Sequence, residues 1–312
     1  MQKTILTKNY AFRHLIISAL QDIDIRGIRK ISYFLPKVLL PKPKGALIIR
    51  TLYGFYMNVD PVKDHGVEES IYFTGTYEKG TLFIMQNILK EGDVFVDVGA
   101  NIGLMSIFAS LVVKGTGKAI AFEPNPETMN ILENNIELNH ISNIETSNYA
   151  VGEKREKARV YDHWESNRGS ASLIQPDIVT TSYDVNVIPL TEYFKKDQTI
   201  HVIKIDTEGY ELAALKGAGS ILAGKSPPML IVECSETREN AFGEGLDKLY
   251  DYLKKINKYR LFKSTADKSK VSKLIEISSS TDLPLHDNIY CFTNRHLEKI
   301  PDKVFKIKRA KP

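Results

Sequence analysis

A short turn between an apolar strand pattern and an apolar helix pattern constrains the fold more than any other feature. It reads Phe95-Val96-Asp97-Val98-Gly99-Ala100-Asn101-Ile102-Gly103. Glycine at Gly99 and Gly103 can adopt positive φ and lets backbone approach a ligand closely, and Asn101 tolerates the same left-handed region. The apolar residues that follow have helical spacing, so the turn places a ligand at the free N–H groups of a helix N-terminus. The segment predicts strand, turn and helix around a nucleotide-sized site.

The spacing of the glycines argues against a dinucleotide. A dinucleotide fingerprint has a third glycine five residues after the first, and this chain has Leu104 there. A second apolar run, 118–122, ends at Glu123. In doubly wound folds a carboxylate at the tip of the second strand accepts hydrogen bonds from a ribose diol. Asp97 and Glu123 together therefore predict a cofactor site that is not built for NAD or FAD.

Strand and helix patterns alternate through most of the chain, which predicts a mainly parallel sheet with right-handed crossovers. We predict strands near 94–98, 118–123, 144–150, 201–206, 229–234, 258–263 and 287–293, and helices at 126–138 and 246–256. The predicted organisation is a helical N-terminal extension (1–45), a small β-hairpin acting as lid or brace (46–80), one main domain (81–295) and a basic C-terminal tail (296–312).

Composition fits a cytoplasmic enzyme. The chain has 312 residues, 43% hydrophobic and 26% charged, enough to bury a substantial core. The apolar run Leu15-Ile16-Ile17 is broken by Ser18, so no secretory signal is expected, and no window reaches the ~18 apolar residues of a membrane span. Cys234 and Cys291 lie in apolar runs, which suits reduced core thiols better than a disulfide or a catalytic nucleophile. Lys and Arg gather at both ends, as solvated tails or as contacts to an anionic surface.

Three motifs resemble those of one family. FVDVGANIG at 95–103, AFEPNP at 121–126 and IKIDTEGYE at 203–211 are similar to motifs of the FkbM family of S-adenosylmethionine-dependent methyltransferases. Weaker similarities are GTYEKGT at 75–81 and NRGSASL at 167–173. The resemblance extends over roughly residues 70–295. It implies an α/β, doubly wound, Rossmann-like class I methyltransferase sheet of seven mostly parallel strands, with an antiparallel last strand near 288–292.

The resemblance also implies S-adenosylmethionine (SAM) as the cofactor. It implies that Gly99, Ala100, Asn101 and Gly103 cradle the methionine part, that Asp97 lies near its amino group, and that Glu123 holds the ribose, with Pro124 and Asn125 in the same site. Asn148 is either an adenine neighbour or a turn residue. Glu78 is predicted to reach over the cofactor pocket as a gate, so that Glu78→Ala weakens cofactor binding and leaves the fold intact. A divalent metal site has only weak support and no metal ligand is assigned, because two close carboxylates also occur in many sites without a metal and no histidine or cysteine cluster has ligand spacing.

Asp206 and Glu208 are the predicted reaction centre. They follow an apolar run, and open sheets bind ligands outside the carboxyl ends of their strands. Either could take the proton of a hydroxyl acceptor, and His163 and His201 are weaker candidates. Alternatively, the two carboxylates only orient the cofactor and cap the next helix. Glu211 either shares a face with Glu208 or is a surface charge, and the loop 162–169 either contacts a polar acceptor or buries Trp164 in the core.

The function predicted from these features is an O-methyltransferase acting on a hydroxyl of a glycan, a glycolipid or a small natural product. Nucleic acid is not expected as substrate, because no base-flipping signature follows the fourth strand and the basic residues lack interleaved aromatics. The alternative is a cofactor-binding regulatory or scaffold protein of an envelope or polysaccharide assembly system. It depends on the basic N-terminal extension, which would dock on a membrane surface or a partner.

Overall fold

The computed structural model describes residues 9–21, 35, 38–162, 171–175, 179–234 and 245–306. Its strands are β1 (Leu47–Arg50), β2 (Tyr56–Val59), β3 (Val94–Val98), β4 (Lys118–Phe122), β5 (Ile144–Ser147), β6 (Ala150–Val151), β7 (Glu156–Asp162), β8 (Thr181–Ile188), β9 (Val202–Ile205), β10 (Met229–Cys234), β11 (Arg260–Ser264), β12 (Leu274–Glu276) and β13 (Asp287–Phe292). Its α-helices are α1 (Asn9–Gln21), α2 (Val67–Thr74), α3 (Lys79–Ile88), α4 (Leu104–Val113), α5 (Pro126–Leu138), α6 (Leu190–Tyr193), α7 (Glu211–Gly217), α8 (Gly219–Leu222), α9 (Leu246–Asn257) and α10 (Asn294–Leu297).

The central sheet has the order β12-β11-β13-β10-β9-β3-β4-β5. The five strands from β10 to β5 run parallel, and β13 lies antiparallel between β10 and β11. All seven predicted strands are present, and the antiparallel last strand is confirmed. The edge strand β12 was not predicted, since three residues among serines and lysines show no strand pattern.

The parallel strands are buried on both faces, as their continuous apolar runs require. Phe95 packs into the cluster under α3 and α4, while its neighbour Val96 packs into the cluster on the opposite face with residues of α7 and α9. The register pairs Val98 with Phe122 on one side and with Ile205 on the other. The residues that follow these three strands therefore emerge side by side at one edge of the sheet.

A second sheet of three strands, in the order β6-β8-β7, was missing from the prediction. Its signal is present as alternation in Glu156–Asp162 and Thr181–Ile188, of which only one face is apolar and buried. The predicted strand 144–150 is divided between the two sheets, because β5 ends at Ser147 and β6 begins at Ala150.

The predicted hairpin is confirmed and braces α5. β1 and β2 pair antiparallel. Asn139 Oδ1 accepts from the Tyr56 amide and Nδ2 donates to the Tyr56 carbonyl, both at 2.7 Å, and Asn135 Oδ1 accepts from the Asn58 amide at 2.7 Å. These side chains occupy backbone groups that an edge strand would otherwise expose. The helix α5 begins as predicted, with the Asn125 side chain capping it and proline at its first position.

The N-terminal extension packs on the same core as the sheet. Ile17 of α1, Met57 of the hairpin and Phe95 of β3 belong to one cluster of buried side chains. His14 is buried, with Nε2 at 2.8 Å from the Tyr72 carbonyl of α2, and the Tyr72 hydroxyl donates to the carbonyl of Pro41 at 2.5 Å. None of the helices in the described ranges has the length and apolarity needed to span a bilayer.

Candidate active site

An open cavity of about 1180 Å³, mouth included, lies at the carboxyl ends of β3, β4 and β9. This is where the strand order reverses, the position at which open α/β sheets bind ligands. Residues from all three sequence motifs line it: Gly99, Ala100, Asn101, Glu123, Asp206 and Glu208. Pro124 and Glu78 also line it, whereas Gly103 and Asn125 do not.

The glycine turn has the predicted conformation, and contacts within the chain give a second reason for its glycines besides the approach of a ligand. Gly99, Asn101 and Gly103 all have positive φ. A Cβ on Gly99 would lie 1.8 Å from the backbone oxygen of Asp206, and a Cβ on Gly103 would lie 2.4 Å from Leu132 of α5. Gly99 therefore needs glycine because the backbone of Asp206 comes close, and Gly103 needs it because of its φ of +92°. Gly103 packs against α5 rather than lining the cavity.

Glu123 is a buried carboxylate in the cavity wall. Its Oε2 accepts from the Asn101 amide at 2.8 Å and its Oε1 from the Asn125 amide at 2.9 Å. Burial raises its pKa to about 7, although these two hydrogen bonds act in the opposite direction. Each carboxylate oxygen can accept a second hydrogen bond, so Glu123 can still receive hydroxyl donors from a ligand.

Asp97 lies beneath the cavity and does not line it. It is fully buried, and Oδ2 accepts from the Ser106 hydroxyl at 2.6 Å. Its Oδ1 is buried and takes no hydrogen bond from the described residues. Burial raises the pKa of Asp97, and the nearby Lys204 ammonium opposes that rise. An unpartnered buried carboxylate oxygen indicates a missing donor.

Asp206 forms a buried ion pair with Lys204. The two residues are two positions apart at the end of β9, and Nζ lies 2.7 Å from Oδ2. The Lys204 side chain is only 4% exposed. Burial alone would raise the pKa of Asp206, but the charges of Lys204 and of Lys268 hold it well below its usual range. Asp206 is therefore ionised at neutral pH.

The loop that carries Glu208 is held in place by Glu211. Glu211 is buried, and its Oε1 accepts from the amides of Thr207 and Gly209, both at 3.0 Å. Glu208 itself has φ of +54°, a left-handed conformation that costs a non-glycine residue about 1–3 kcal/mol. Ser172 donates to the Glu208 carbonyl at 2.8 Å. Glu211 is thus neither a surface charge nor on a helical face with Glu208, but the support of this loop.

Glu78 is fixed rather than free to act as a gate. Its Oε1 lies 2.8 Å from Lys268 Nζ, and its Oε2 accepts from Asn288 Nδ2 at 2.9 Å. The side chain is 2% exposed. Removing one partner of a buried ion pair costs about 3–5 kcal/mol. The expectation that Glu78→Ala leaves the fold intact is therefore not supported by its surroundings.

Three charged residues of the site escaped the sequence prediction: Lys204, Glu233 and Lys268. Lys204 in Val202–Ile205 and Glu233 in Met229–Cys234 interrupt strands that are otherwise apolar and buried. Such residues are almost never fully buried unless paired, so both were detectable as anomalies. Lys268 lies in a loop with several other lysines, and nothing in its sequence context distinguishes it.

Other predicted residues lie away from the cavity or outside the described chain. Asn148 is exposed, and its neighbours Tyr149 and Ala150 line the cavity instead. His201 precedes β9 at the opposite edge of the sheet, where Nδ1 accepts from the Val94 amide, so it cannot serve as a base here. His163 and Trp164 fall outside the described residues. Cys234 is free and buried, and burial raises the pKa of its thiol well above the usual value.

Asp206, Glu208 and Glu233 bring their carboxylate oxygens within 4.8 Å of one another. Lys204 binds Asp206, and Lys268 binds Glu233 at 2.7 Å. Like charges this close disfavour each other's ionisation, and adjacent cations relieve the repulsion. The cluster is thus compensated by two lysines of the chain itself.

A comparison with protein-family models matched residues 97–261 to the methyltransferase FkbM domain. The chain belongs to the FkbM methyltransferase family. It is accordingly a SAM-dependent methyltransferase with a Rossmann-like class I fold. A comparison with curated proteins found no match.

Solved structures similar to this FkbM methyltransferase are distant. A SAM-dependent methyltransferase from Aquifex aeolicus is 15% identical, with 68% of this chain and 88% of that chain covered and a TM-score of 0.39. A SAM-dependent O-methyltransferase from Thermotoga maritima is 10% identical, with 80% and 94% covered and a TM-score of 0.39. TYW2 from M. jannaschii, in complex with AdoMet, is 15% identical, with 81% and 86% covered and a TM-score of 0.41.

The cavity of this FkbM methyltransferase fits the chemistry of SAM at Glu123. This residue offers lone pairs for the ribose hydroxyls, as its place after the second core strand leads one to expect. Asp97, whose Oδ1 has no partner among the described residues, lies beneath the cavity and not in its lining. Leu104, the first residue of α4, and Ile102 just before that helix also line the cavity.

Proposed function

We propose that this protein transfers the methyl group of SAM to a hydroxyl oxygen of a glycan, a glycolipid or a small natural product. The observation that carries the proposal is the place of the Asp206 carboxylate, which lines the cavity beside Glu208 and lies 2.7 Å from the buried Lys204 ammonium. A carboxylate in this place can accept a hydrogen bond from a hydroxyl and so aim an oxygen lone pair into the cavity.

The chemistry divides between cofactor and chain. SAM supplies an electrophilic methyl group whose leaving group needs no acid. Asp206 accepts the hydroxyl proton as the new carbon–oxygen bond forms, so a neutral ether and a neutral carboxyl group result. A weak base suffices, because an oxygen that has gained a methyl group and still carries its proton is strongly acidic. Lys204 keeps Asp206 ionised until that moment.

The part of the cavity around Asp206, where the methyl acceptor would bind, is called the acceptor end, and it suits a neutral hydroxylated compound. Tyr77, Asp206, Glu208 and Glu233 line it, together with the two lysines that compensate the acids. Within the described residues, the Tyr77 hydroxyl has no hydrogen-bond partner and can bind an acceptor group. A polyanion such as a nucleic acid would meet three carboxylates at this point, and both lysines are already paired.

We also propose a peripheral contact with a membrane, which would suit a lipid-linked acceptor. Phe12 and Leu15 of α1, with Val38, are the three most exposed large apolar side chains of the described chain, at 67%, 58% and 62%. Arg13 Nη1 donates to the Leu39 carbonyl at 2.6 Å, which holds the Val38 turn beside α1. Residues 1–44 contain nine Lys and Arg and two Asp. Apolar and basic residues together are what anionic lipid surfaces bind.

The experiment uses SAM with an isotopically labelled methyl group and a panel of hydroxylated, amino and lipid-linked acceptors, with mass spectrometry as readout. We expect label on a hydroxyl oxygen. Asp206→Asn should lower kcat about 100-fold or more and keep SAM affinity. Asp184→Asn, whose side chain is 84% exposed on β8, is the matched control and should behave as the unmodified chain.

Two outcomes would contradict the proposal. Label on nitrogen or on a nucleic-acid base would overturn oxygen methylation, and full turnover by Asp206→Asn would remove Asp206 from the reaction. SAM binding without transfer to any hydroxylated acceptor would favour a cofactor-binding regulatory or scaffold protein.

A further inference from the structure

The segment 265–273, between β11 and β12, covers one side of the cavity and is called the roof loop here. Its docking on the N-terminus of α3 is specific. The Gly80 amide donates to the Lys268 carbonyl at 2.9 Å. A Cβ on Gly80 would lie 2.3 Å from the Lys270 carbonyl oxygen, so only glycine permits this approach. The roof loop is therefore held in contact with the segment that carries Glu78.

Lys268 is the residue that the roof loop brings to the cavity. Its ammonium group lies 2.8 Å from Glu78 Oε1 and 2.7 Å from Glu233 Oε1, and its side chain is 16% exposed. Glu78 is anchored on its other side by Asn288. A cation fixed between two nearly buried carboxylates sets the orientation of both. In Glu233, the oxygen Oε1 is paired with Lys268, and the other oxygen, Oε2, is not.

That other oxygen, Oε2 of Glu233, is buried and accepts no hydrogen bond from the described residues. An ionised oxygen in this position would be costly, whereas a protonated one has a hydrogen to donate. The carboxylates of Asp206 and Glu208 are acceptors close by, since one oxygen of each lies within 4.8 Å of a carboxylate oxygen of Glu233. Burial and the charge of Asp206 raise the pKa of Glu233, which agrees with a neutral carboxyl group here.

We propose that Lys268 is a positioning residue for methyl transfer: it holds the Glu233 carboxyl as a hydrogen-bond donor toward Asp206, so that Asp206 presents its anionic oxygen to the acceptor. The inference rests on the proposed function, because it assigns the proton acceptor to Asp206. The inference adds that Asp206 and Glu233 hold one proton between them, and that this proton is on Glu233 before the reaction.

The charged and titratable groups that face Glu233 come from three segments. Asp206 and Glu208 follow β9, Lys268 belongs to the roof loop, and Tyr77 precedes α3. Removing the Lys268 charge raises the pKa of both Asp206 and Glu233, since that cation favours their ionised forms. The pair then keeps its proton to higher pH.

Infrared difference spectroscopy of the full-length chain, titrated with and without Glu233→Gln, tests this without an acceptor. We expect a carboxylic-acid band that persists to a pH well above the ordinary range of a glutamate and is absent in Glu233→Gln. Lys268→Met leaves Glu78 unpaired and can unfold the protein, so the variant to use is Lys268→Met with Glu78→Gln, which removes one charge of each sign. Its band should titrate at least about one pH unit higher than the band of the unmodified chain. Lys273→Met, on the exposed end of the same loop, is the matched control and should show no shift.

Calorimetry with SAM accompanies each titration and separates the two proposals. Glu78 and Lys268 both line the cavity, so the SAM affinity of the double variant is measured to show that its cavity still binds the cofactor. Absence of the Glu233 band in the unmodified chain, or an equal titration in the double variant and in Lys273→Met, would overturn the role of Lys268. Loss of SAM binding by the unmodified chain, with the band intact, would instead contradict the proposed function.

Discussion

At the scale of single residues, the site is governed by charges that the fold has buried. Lys204 is 4% exposed on a strand whose other members are apolar, and it is tolerated because Asp206 lies 2.7 Å away. Among the described residues no cation pairs with Glu123, and two backbone amides stabilise its charge. Burial acts to raise the pKa of both carboxylates. The charges of the neighbouring lysines reverse this effect at Asp206, whose pKa is lowered, whereas the pKa of Glu123 stays raised.

SAM binding should depend on pH through Glu123. Its pKa is about 7 in the free protein, and ribose hydroxyls donate to the ionised form. We expect the affinity for SAM to be highest above pH 7 and to fall by up to about tenfold per unit as the pH drops below that value. Calorimetry across this range measures it. Glu123→Gln should bind weakly at every pH, and a dependence that survives in Glu123→Gln would assign it to another group.

The free energy of unfolding should depend on pH in the opposite direction through the same residue, Glu123. Because the folded pKa of about 7 exceeds the ordinary value of 4.5, the folded state gains from the Glu123 proton at low pH and loses that gain as pH rises through 7. A shift of this size corresponds to about 3 kcal/mol. Urea unfolding should show Glu123→Gln gaining stability relative to the unmodified chain between about pH 5 and pH 8. The exposed Glu137→Gln is the control, and parallel curves for both variants would refute the prediction.

At the scale of elements, loops that follow buried strands are shaped by contacts between backbones. The loop after β3 meets the backbone of Asp206, and the roof loop meets α3 at Gly80. Both contacts leave no space for a Cβ. These contacts between parts of the chain hold the site together, and they require glycine at Gly99 and Gly80 whether or not a ligand is bound.

Gly80→Ala should loosen the roof loop. Its Cβ would lie 2.3 Å from one backbone oxygen and 2.9 Å from another, so the loop must move. We expect a loss of stability of about 1–3 kcal/mol and faster hydrogen exchange in 265–273. Gly115→Ala is the control, since a Cβ there meets nothing within 4 Å. Equal exchange of the roof loop in the two variants would show that it does not depend on Gly80.

At the scale of the whole molecule, the sequence predicts the central sheet well and its additions poorly. The apolar runs before Asp97, Glu123 and Asp206 identify three strands. Because strands that alternate with helices run parallel, their carboxyl ends share one edge of the sheet, and this edge carries the site. The sheet β6-β8-β7 was missed, since alternation with one buried face gives a weaker signal than a continuous apolar run. Lys268 was missed because it reaches Glu78, 190 positions away in sequence, only through the folding of the whole chain.

Exposed apolar side chains and basic residues are concentrated near the N-terminus. Among the described residues, the most exposed large apolar side chains, Phe12, Leu15 and Val38, all lie in the N-terminal 44 residues, where Lys and Arg outnumber Asp nine to two. α1 packs on α2, and Val67, the first residue of α2, lines the cavity. A surface bound through α1 would therefore lie near one wall of the site. This arrangement supports a lipid-linked acceptor better than a freely diffusing one.

Binding to vesicles tests the membrane contact. The protein should sediment with vesicles of phosphatidylglycerol and phosphatidylcholine, and much less with phosphatidylcholine alone, because each Lys or Arg near an anionic surface contributes about 1 kcal/mol. Phe12→Ser with Leu15→Ser should weaken binding about tenfold or more, as the apolar contact is lost. Leu111→Ser with Leu285→Ser removes two apolar side chains that are 47% and 56% exposed elsewhere, and it should bind as the unmodified chain does. Equal loss in both pairs would mean that general surface apolarity drives the binding, and a dimer abolished only by the first pair would assign the patch to a second copy of the chain.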